Sequence, residues 1–275
     1  MILSDTHAHL SLVSEELGKE RLASLIGDYA RAWESTAAEG RSGSLLLDPG
    51  VDPDDLGPRL ELLAPEGRLP PFIRLAAGLW PSARNLASPR SSLDALEVSI
   101  ARASRDGLEP AAIGECGLDY HHMEGSAEAQ ALLFEGQIAL ATRLGLPLIV
   151  HSREAAAETL VLISRGRSSA PVIIHCFGYG PSEARAFLDS GCWLSFAGNL
   201  TYKGSDALRE ACAAVPDDRF LLETDSPYMN PVPLRGKAST PLDIERTYAL
   251  AAGLRSVGVG ELAETVSRNA RSLFG

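Results

Sequence analysis

The first apolar run of the chain ends in two histidines one residue apart, in the order Asp5-Thr6-His7-Ala8-His9-Leu10. Side chains alternate between the two faces of a β-strand, so His7 and His9 project to one side about 7 Å apart, and Asp5 shares that side. Two imidazoles placed in this way can share one metal ion. A lone His-x-His pair also occurs simply as polar residues at a strand end, so the interpretation depends on the rest of the chain.

Four further residues of metal-binding types occur later in the chain. Each lies at the end of a run of apolar residues, and they are Glu115, His151, His175 and Asp225. Taken singly, a histidine in such a position is more often a hydrogen-bonded residue of the core or its rim. Together with His7 and His9, they would form a large set of buried polar groups that needs a metal ion to satisfy it. Six ligands are too many for one tetrahedral ion and suit two ions bridged by a carboxylate, about 3.5–4 Å apart.

The elements that must position these residues are short apolar runs alternating with longer helical patterns, as in βα units around a parallel sheet. There are eight runs, at residues 2–6, 44–51, 72–79, 111–117, 147–152, 172–176, 192–197 and 220–224. Helical patterns between them include 128–144 and 182–190, which Gly145 and Gly191 should end. Eight such units predict a (β/α)8 TIM barrel in which residues 1–275 form a single domain, with an open doubly wound sheet as the alternative.

Barrel enzymes place their chemistry at the C-terminal ends of the strands, where all six candidate ligands would lie. Asp225 would also be placed to act as general base, and Glu223 would either support the site or form a structural salt bridge. Arg153 and Lys203, in loops at the same end, could contact substrate phosphates. Trp80 could stack a terminal base or cap the barrel mouth.

The composition limits the classes of protein that the chain can belong to. It has 275 residues, of which 45% are hydrophobic and 22% charged, as in globular proteins. The net charge of −11 has the wrong sign for gripping duplex DNA through a broad basic face, so any nucleic acid must be held locally. No run approaches the roughly 20 apolar residues of a membrane span, and no signal peptide precedes the first strand, so we expect a cytoplasmic protein without a membrane partner. No obligate protein partner is evident, and four widely spaced cysteines predict no disulfide.

Five motifs follow one another along the chain. They are Asp5-Thr6-His7-Ala8-His9-Leu10, Gly114-Glu115-Cys116-Gly117-Leu118-Asp119-Tyr120, His151-Ser152-Arg153, His175-Cys176-Phe177 and Leu222-Glu223-Thr224-Asp225-Ser226-Pro227-Tyr228. In this order they resemble the TatD family of metal-dependent deoxyribonucleases, within the wider amidohydrolase-type barrels. The resemblance implies two divalent ions, Mg²⁺, Mn²⁺ or Zn²⁺. One would be held by His7, His9, Glu115 and Asp225, and the second by Glu115, His151 and His175.

The chain departs from the family pattern near the expected substrate site. Where many members carry Gly-(Ile/Val)-His-Pro, this chain has Gly78-Leu79-Trp80-Pro81, so Trp80 replaces a histidine that the resemblance implies would reach the substrate. A His-Cys-Phe-Thr-Gly pattern reads His175-Cys176-Phe177-Gly178-Tyr179 here. These departures leave the six candidate ligands intact and leave the substrate open.

The resemblance implies a nuclease that hydrolyses phosphodiester bonds, working 3′-to-5′ from the ends of single-stranded DNA by two-metal activation of water. The alternative is a binuclear-metal amidohydrolase or esterase acting on a small carbonyl substrate or an acylated nucleic acid, because the same barrel polarises carbonyls equally well. A third hypothesis is a non-catalytic binding protein on the same scaffold. The presence of every candidate ligand argues against it. Many cyclic amidohydrolases bridge their ions through a modified lysine, whereas Glu115 has no lysine near it, which favours the nuclease.

Overall fold

A computed structural model of the chain describes residues 2–38, 43–64, 67–166 and 170–275. Within these ranges, seven strands form one parallel sheet in which every strand pairs with the next one along the chain. The strands are β1 (Leu46–Asp48), β2 (Ile73–Ala77), β3 (Ala112–Asp119), β4 (Leu148–Arg153), β5 (Val172–Ile174), β6 (Trp193–Phe196) and β7 (Phe220–Leu222). Each of them falls on one of the predicted apolar runs.

Helices alternate with the strands. Those in the described ranges are α1 (Leu10–Leu17), α2 (Lys19–Ala38), α3 (Leu56–Leu63), α4 (Ala83–Leu86), α5 (Pro89–Arg105), α6 (Ala127–Leu144), α7 (Ala156–Gly166), α8 (Pro181–Asp189), α9 (Asp206–Ala214), α10 (Glu245–Arg255) and α11 (Val259–Phe274). Short 3₁₀ helices span Gly198–Thr201, Asp217–Arg219 and Pro241–Ile244.

The sheet is closed by the first apolar run and the two histidines after it. The prediction of a regular strand there is wrong, because this segment makes only isolated parallel bridges, from Asp5 to Leu46 in β1 and from Ala8 to Ser226 beyond β7. The Asp5 carboxylate accepts a hydrogen bond from the backbone N–H of Thr224, at 3.0 Å, so a side chain replaces part of the strand ladder. The segment still joins β7 to β1. The architecture is therefore the predicted (β/α)8 barrel and not the alternative open sheet. One of its eight members, the first segment, is irregular.

Local sequence signals explain where the helices around the barrel begin and end. The Ser126 hydroxyl accepts a hydrogen bond from the N–H of Ala129 at the start of α6. Gly145 ends this helix with a φ of 68°, in the left-handed region that favours glycine, which confirms the predicted stop. Helix α8 ends at Asp189, and Gly191 follows with a φ of 83°.

Apolar side chains fill much of the barrel interior, together with a few buried hydroxyl groups such as those of Thr6 and Ser195, which lie 3.2 Å apart. Alternate strand positions form a buried cluster with the last turn of α11, made up of Leu45, Leu47, Ala76, Ala112, Ile149, Ile173, Leu221, Ala270, Leu273 and Phe274. Asn269 of α11 donates a hydrogen bond to the carbonyl of Phe220, the first residue of β7. Helix α11 therefore lies at the N-terminal end of the barrel, and the opposite end is left for polar residues.

The four cysteines are free, and Cys116, Cys192 and Cys212 are buried. In the described parts of the chain, no helix combines the length and apolar character needed to cross a membrane.

Candidate metal centre

The six predicted ligands converge at the C-terminal end of the barrel. Their side chains supply three groups of potential ligand atoms, each within 4.8 Å of one another: His7, His9 and Glu115; His7, His175 and Asp225; Glu115, His151 and His175. The histidine pair of the closing segment thus meets residues from β3, β4 and the loops after β5 and β7. All of these residues are buried except His151, which is partly exposed.

The carboxylate of Glu115 stands between two pairs of histidines. Its Oε2 lies 3.2 Å from Nε2 of His7 and 3.4 Å from Nε2 of His9. Its Oε1 lies 2.9 Å from Nδ1 of His151 and 3.0 Å from Nε2 of His175. Each oxygen therefore has its own pair of imidazole nitrogens, which is the arrangement of a carboxylate that bridges two ions.

Asp225 adds a second carboxylate on the side of the first pair. Its Oδ1 lies 3.5 Å from Nε2 of His9 and 3.8 Å from Nε2 of His7. The backbone of Asp225 has a φ of 56°, a left-handed conformation that costs a non-glycine residue about 1–3 kcal/mol. A hydrogen bond from the Asp225 N–H to the carbonyl of His7, at 2.9 Å, holds it in this conformation.

The spacing of these atoms fits cations between them. Nε2 of His7 is 3.3 Å from Nε2 of His9, and Nδ1 of His151 is 3.2 Å from Nε2 of His175. Ligand atoms bound at about 2.0–2.2 Å to one ion lie roughly 3.0–3.5 Å apart. Lone pairs that converge at such distances repel one another unless positive charge lies between them. Imidazole nitrogens with carboxylate oxygens suit divalent cations such as Zn²⁺ and Mn²⁺.

Both carboxylates are held in their anionic form. Burial alone would raise the pKa of Glu115, but His175, His151 and His7 together outweigh it and hold that pKa well below its ordinary value. For Asp225, burial is likewise outweighed by the hydrogen bond from His9 and the nearby His7, so its pKa is also lowered. Each can therefore offer charged oxygens at neutral pH.

Glu223 orients one of the histidine rings. Its Oε1 lies 3.3 Å from Nδ1 of His175 and accepts a hydrogen bond from the N–H of Cys176 at 2.7 Å. This contact turns Nε2 of His175 towards Glu115. Of the two interpretations of Glu223 from the sequence, the geometry favours support of the site.

Asp119 performs the corresponding task for the other ring, and the sequence analysis assigned it no role. Its Oδ2 lies 3.0 Å from Nε2 of His151 and 2.8 Å from Nδ1 of His122. Its Oδ1 accepts the backbone N–H groups of His121 and His122. Asp119 thereby leaves Nδ1 of His151 to face Glu115. The signal was available, because Glu115 and Asp119 are separated by four residues along β3 and so share a face.

Asp5, although next to the histidine pair, points away from the three groups. Its carboxylate binds the hydroxyl of Thr224 at 2.6 Å and the N–H of His7 at 3.2 Å. Burial raises the pKa of Asp5 to about 8, against the opposing effect of the Thr224 hydrogen bonds. Asp5 therefore ties the closing segment to the loop after β7.

The three residues predicted to contact substrate differ in how near they lie to the candidate ligands. The Trp80 ring is partly buried and lies 5.9 Å from the ring of His151, edge to face. Arg153 is the last residue of β4 and partly buried, two residues beyond His151. Lys203 is exposed in the loop after the 3₁₀ helix Gly198–Thr201, and no contact among the described residues joins it to the six candidate ligands.

Comparison with known proteins places the chain in a family. Residues 4–275 match the family model described as TatD related DNase. YcfH of Escherichia coli K12, an uncharacterized metal-dependent hydrolase, is 37% identical over 173 residues, which cover 62% of this chain and 64% of YcfH. YabD of Bacillus subtilis, described in the same words, is 35% identical over 164 residues, covering 59% of this chain and 64% of YabD. The aligned part is thus slightly under two thirds of each relative's length.

The fold is also similar to that of a TatD homolog of known structure. The crystal structure of YjjV, a TatD homolog from Escherichia coli K12, superposes with a TM-score of 0.80 at 26% identity, covering 100% of this chain and 99% of YjjV. The match of the family model extends over nearly all of the chain and includes every candidate ligand. The chain therefore belongs to the TatD related DNase family.

Proposed function

We propose that the protein is a metal-dependent hydrolase that cleaves phosphodiester bonds, as a 3′-to-5′ exonuclease on single-stranded DNA. The observation that carries this proposal is the division of the two Glu115 oxygens between two histidine pairs. A pair of bridged divalent cations suits the displacement of one oxygen by another at phosphorus. The description of the matching family model supports the choice of DNA as substrate.

The six converging residues would hold the ions in two sets that share Glu115. The first set is His7, His9, Glu115 and Asp225, and the second is Glu115, His151 and His175. When bound, Mg²⁺, Mn²⁺ or Zn²⁺ would polarise the phosphoryl group and neutralise the charge that develops on it.

The chain itself would move the proton and position the strand. Asp225, ionised because its pKa is lowered by His9 and His7, can accept the proton of the attacking water. In our proposal, Arg153 and Lys203 contact phosphates and Trp80 stacks a base. The net charge of −11 makes such local contacts necessary, since no broad excess of basic residues is present to hold DNA.

Hydrolysis of end-labelled single-stranded DNA tests this function. The protein is first depleted of metal with a chelator, and Mg²⁺, Mn²⁺ or Zn²⁺ is then added back separately. We expect progressive shortening of a 5′-labelled strand with at least one metal, none with the chelated protein, and slower cleavage of a blunt duplex of the same sequence.

The alternative chemistry has its own outcome in the same assay. If no metal supports release of nucleotides while small esters or amides are hydrolysed, the barrel is an amidohydrolase or esterase and the proposal is wrong. A 3′-labelled strand shortened from its 5′ end would refute the polarity alone.

A further inference from the structure

The four histidine rings of the candidate metal centre form a continuous row. The rings of His9 and His7 are 4.9 Å apart, and those of His7 and His175 are stacked at 4.0 Å. The ring of His151 follows at 5.4 Å from His175. The row therefore has two ends, at His9 and at His151, with the carboxylate of Glu115 between its two halves.

An aromatic side chain lies at each end of this row. The Tyr228 ring is 6.2 Å from the ring of His9, and the Trp80 ring is 5.9 Å from the ring of His151. Each aromatic ring meets its histidine edge to face. Neither Tyr228 nor Trp80 belongs to the buried core, and the Tyr228 residue is 54% exposed.

The backbone of both aromatic residues is fixed by hydrogen bonds. The Tyr228 N–H donates to the carbonyl of Asp225 at 2.8 Å, and Ser239 donates its hydroxyl to the carbonyl of Tyr228 at 2.6 Å. The carbonyl of Trp80 accepts a hydrogen bond from the Asn85 side chain at 2.8 Å. These are accessible rings on ordered backbone, so binding a ligand requires little ordering of the chain.

We propose, building on the proposed phosphodiesterase function, that Trp80 and Tyr228 stack the two bases on either side of the cleaved phosphodiester. A phosphodiester bound to ions held by Glu115 and its histidines would place one nucleoside towards each end of the histidine row. Base faces are available for such stacking only when the bases are unpaired and unstacked. The substrate is therefore a strand with an unpaired nucleotide on both sides of the cleaved bond.

Binding of an uncleavable dinucleotide measures each ring's contribution. The probe is a thymidine dinucleotide whose bridging oxygen is replaced by a methylene group, titrated calorimetrically into the Mg²⁺-loaded protein. Stacking on an aromatic side chain contributes about 1–3 kcal/mol per base, so Trp80→Leu and Tyr228→Leu should each raise the Kd roughly 5-fold to 150-fold. Trp80→Phe and Tyr228→Phe retain a ring and should stay within about 3-fold of the wild type.

Trp193→Leu is the matched control for loss of a partly exposed aromatic ring. Trp193 begins β6, at the end of the barrel opposite the candidate ligands, where it packs against Arg219. Its replacement should leave the Kd of the dinucleotide unchanged. Circular dichroism of every variant checks that the barrel is intact.

Removing one base at a time from the probe distinguishes the two positions. With an abasic residue on one side, one Leu variant should lose its effect while the other keeps it, and the opposite abasic probe should reverse the pattern. Leu variants that both bind within 3-fold of the wild type, or that both respond to the same base, would overturn the proposal. Cleavage of single-stranded DNA is measured separately. If both rings contribute to dinucleotide binding but no DNA is cleaved, the proposed function is wrong and the stacking stands. If DNA is cleaved at the wild-type rate by both Leu variants, only the stacking is refuted.

Discussion

At the residue scale, the candidate centre consists of groups whose neighbours set their charge and direction. Glu115 and Asp225 stay anionic against burial because histidines surround them. Glu223 and Asp119 each hold one imidazole by the nitrogen that faces away from Glu115. Mutation of residues in such supporting positions typically lowers metal affinity or activity about 10–100-fold.

Replacement of Asp225 by Asn separates proton transfer from metal retention. Asn keeps the size and one oxygen of the carboxylate but cannot accept a proton at neutral pH. A general base is typically worth about 10²–10⁴-fold, so turnover on single-stranded DNA should fall by at least that range. Elemental analysis should show less metal loss than in Glu115→Ala. Wild-type turnover by metal-loaded Asp225→Asn would place the base elsewhere, with Glu223 the next candidate.

Asp119→Asn tests the orientation of His151. An amide in place of the carboxylate weakens the hydrogen bond that directs Nδ1 of His151 towards Glu115, so affinity for the ion on that side should fall about 10–100-fold. His122→Ala is the control, because it removes the other partner of the same oxygen without touching His151. Calorimetric Mn²⁺ titration provides the measurement, and equal losses in the two variants would argue against the role given to Asp119.

The residues of the site were predictable from the sequence to the extent that they sit where apolar runs end. The residues that orient the ligands were harder to predict from the sequence. The fourth run was predicted to end at Gly117, but β3 continues to Asp119 because Asp119 pairs with Arg153 of β4. The left-handed backbone conformation of Asp225 could not be predicted from the sequence, because it depends on a hydrogen bond to His7, more than 200 residues away.

At the element scale, the pattern of apolar runs correctly predicted the positions of the seven regular strands, β1 to β7. It failed for the first segment, where the Asp5 side chain takes over hydrogen bonds that a strand would make through its backbone. A one-dimensional pattern does not distinguish these two uses of the same residues. The helix ends at Gly145 and near Gly191 were predictable because glycine allows the left-handed turn that ends a helix.

A buried ion network connects α3 to the segment that carries the histidine pair. Arg59 in α3 binds Asp48 at 2.7 Å and Asp55 at 2.9 Å, and its side chain is only 4% exposed. Asp48 in turn accepts the N–H of Leu10, directly after His9, at 2.7 Å. The network therefore ties the start of α1 to the end of β1.

Arg59→Met should destabilise the protein, because it leaves Asp48 buried without its partner. Removing one partner of a buried ion pair costs about 3–5 kcal/mol. Arg84→Met is the matched control: Arg84 binds Asp52 and Asp54 but its side chain is 59% exposed, so its loss should cost less than about 1 kcal/mol. Urea unfolding followed by circular dichroism compares the two, and similar losses would contradict the assignment of the network as buried and stabilising.

At the scale of the whole molecule, a chain of net charge −11 is proposed to act on a polyanion. Both hold together if the positive charge that meets the substrate is confined to the bound ions and a few basic side chains. That residues 1–275 form one domain, and that the protein is cytoplasmic, stay predictions.

Few phosphate contacts imply a shallow dependence of DNA binding on salt. For single strands, the slope of log K against log salt is about −0.7 for each neutralised phosphate. Contacts from Arg153 and Lys203 alone therefore predict a slope of roughly −1 to −2. Fluorescence anisotropy of a labelled oligonucleotide between low and moderate KCl measures it. A slope steeper than about −4 would require an extended basic surface and would contradict the proposed local contacts.

Glu115 is proposed to bridge two ions, and electron paramagnetic resonance of the Mn²⁺-loaded protein tests for this bridge. Two Mn²⁺ ions about 3.5–4 Å apart with a shared carboxylate should give an exchange-coupled spectrum. Glu115→Ala should lose at least one ion by elemental analysis and give the six-line spectrum of isolated Mn²⁺, because Glu115 alone lies between both histidine pairs among the six candidate ligands. An uncoupled six-line spectrum from the fully loaded wild-type protein would show that Glu115 does not bridge two ions.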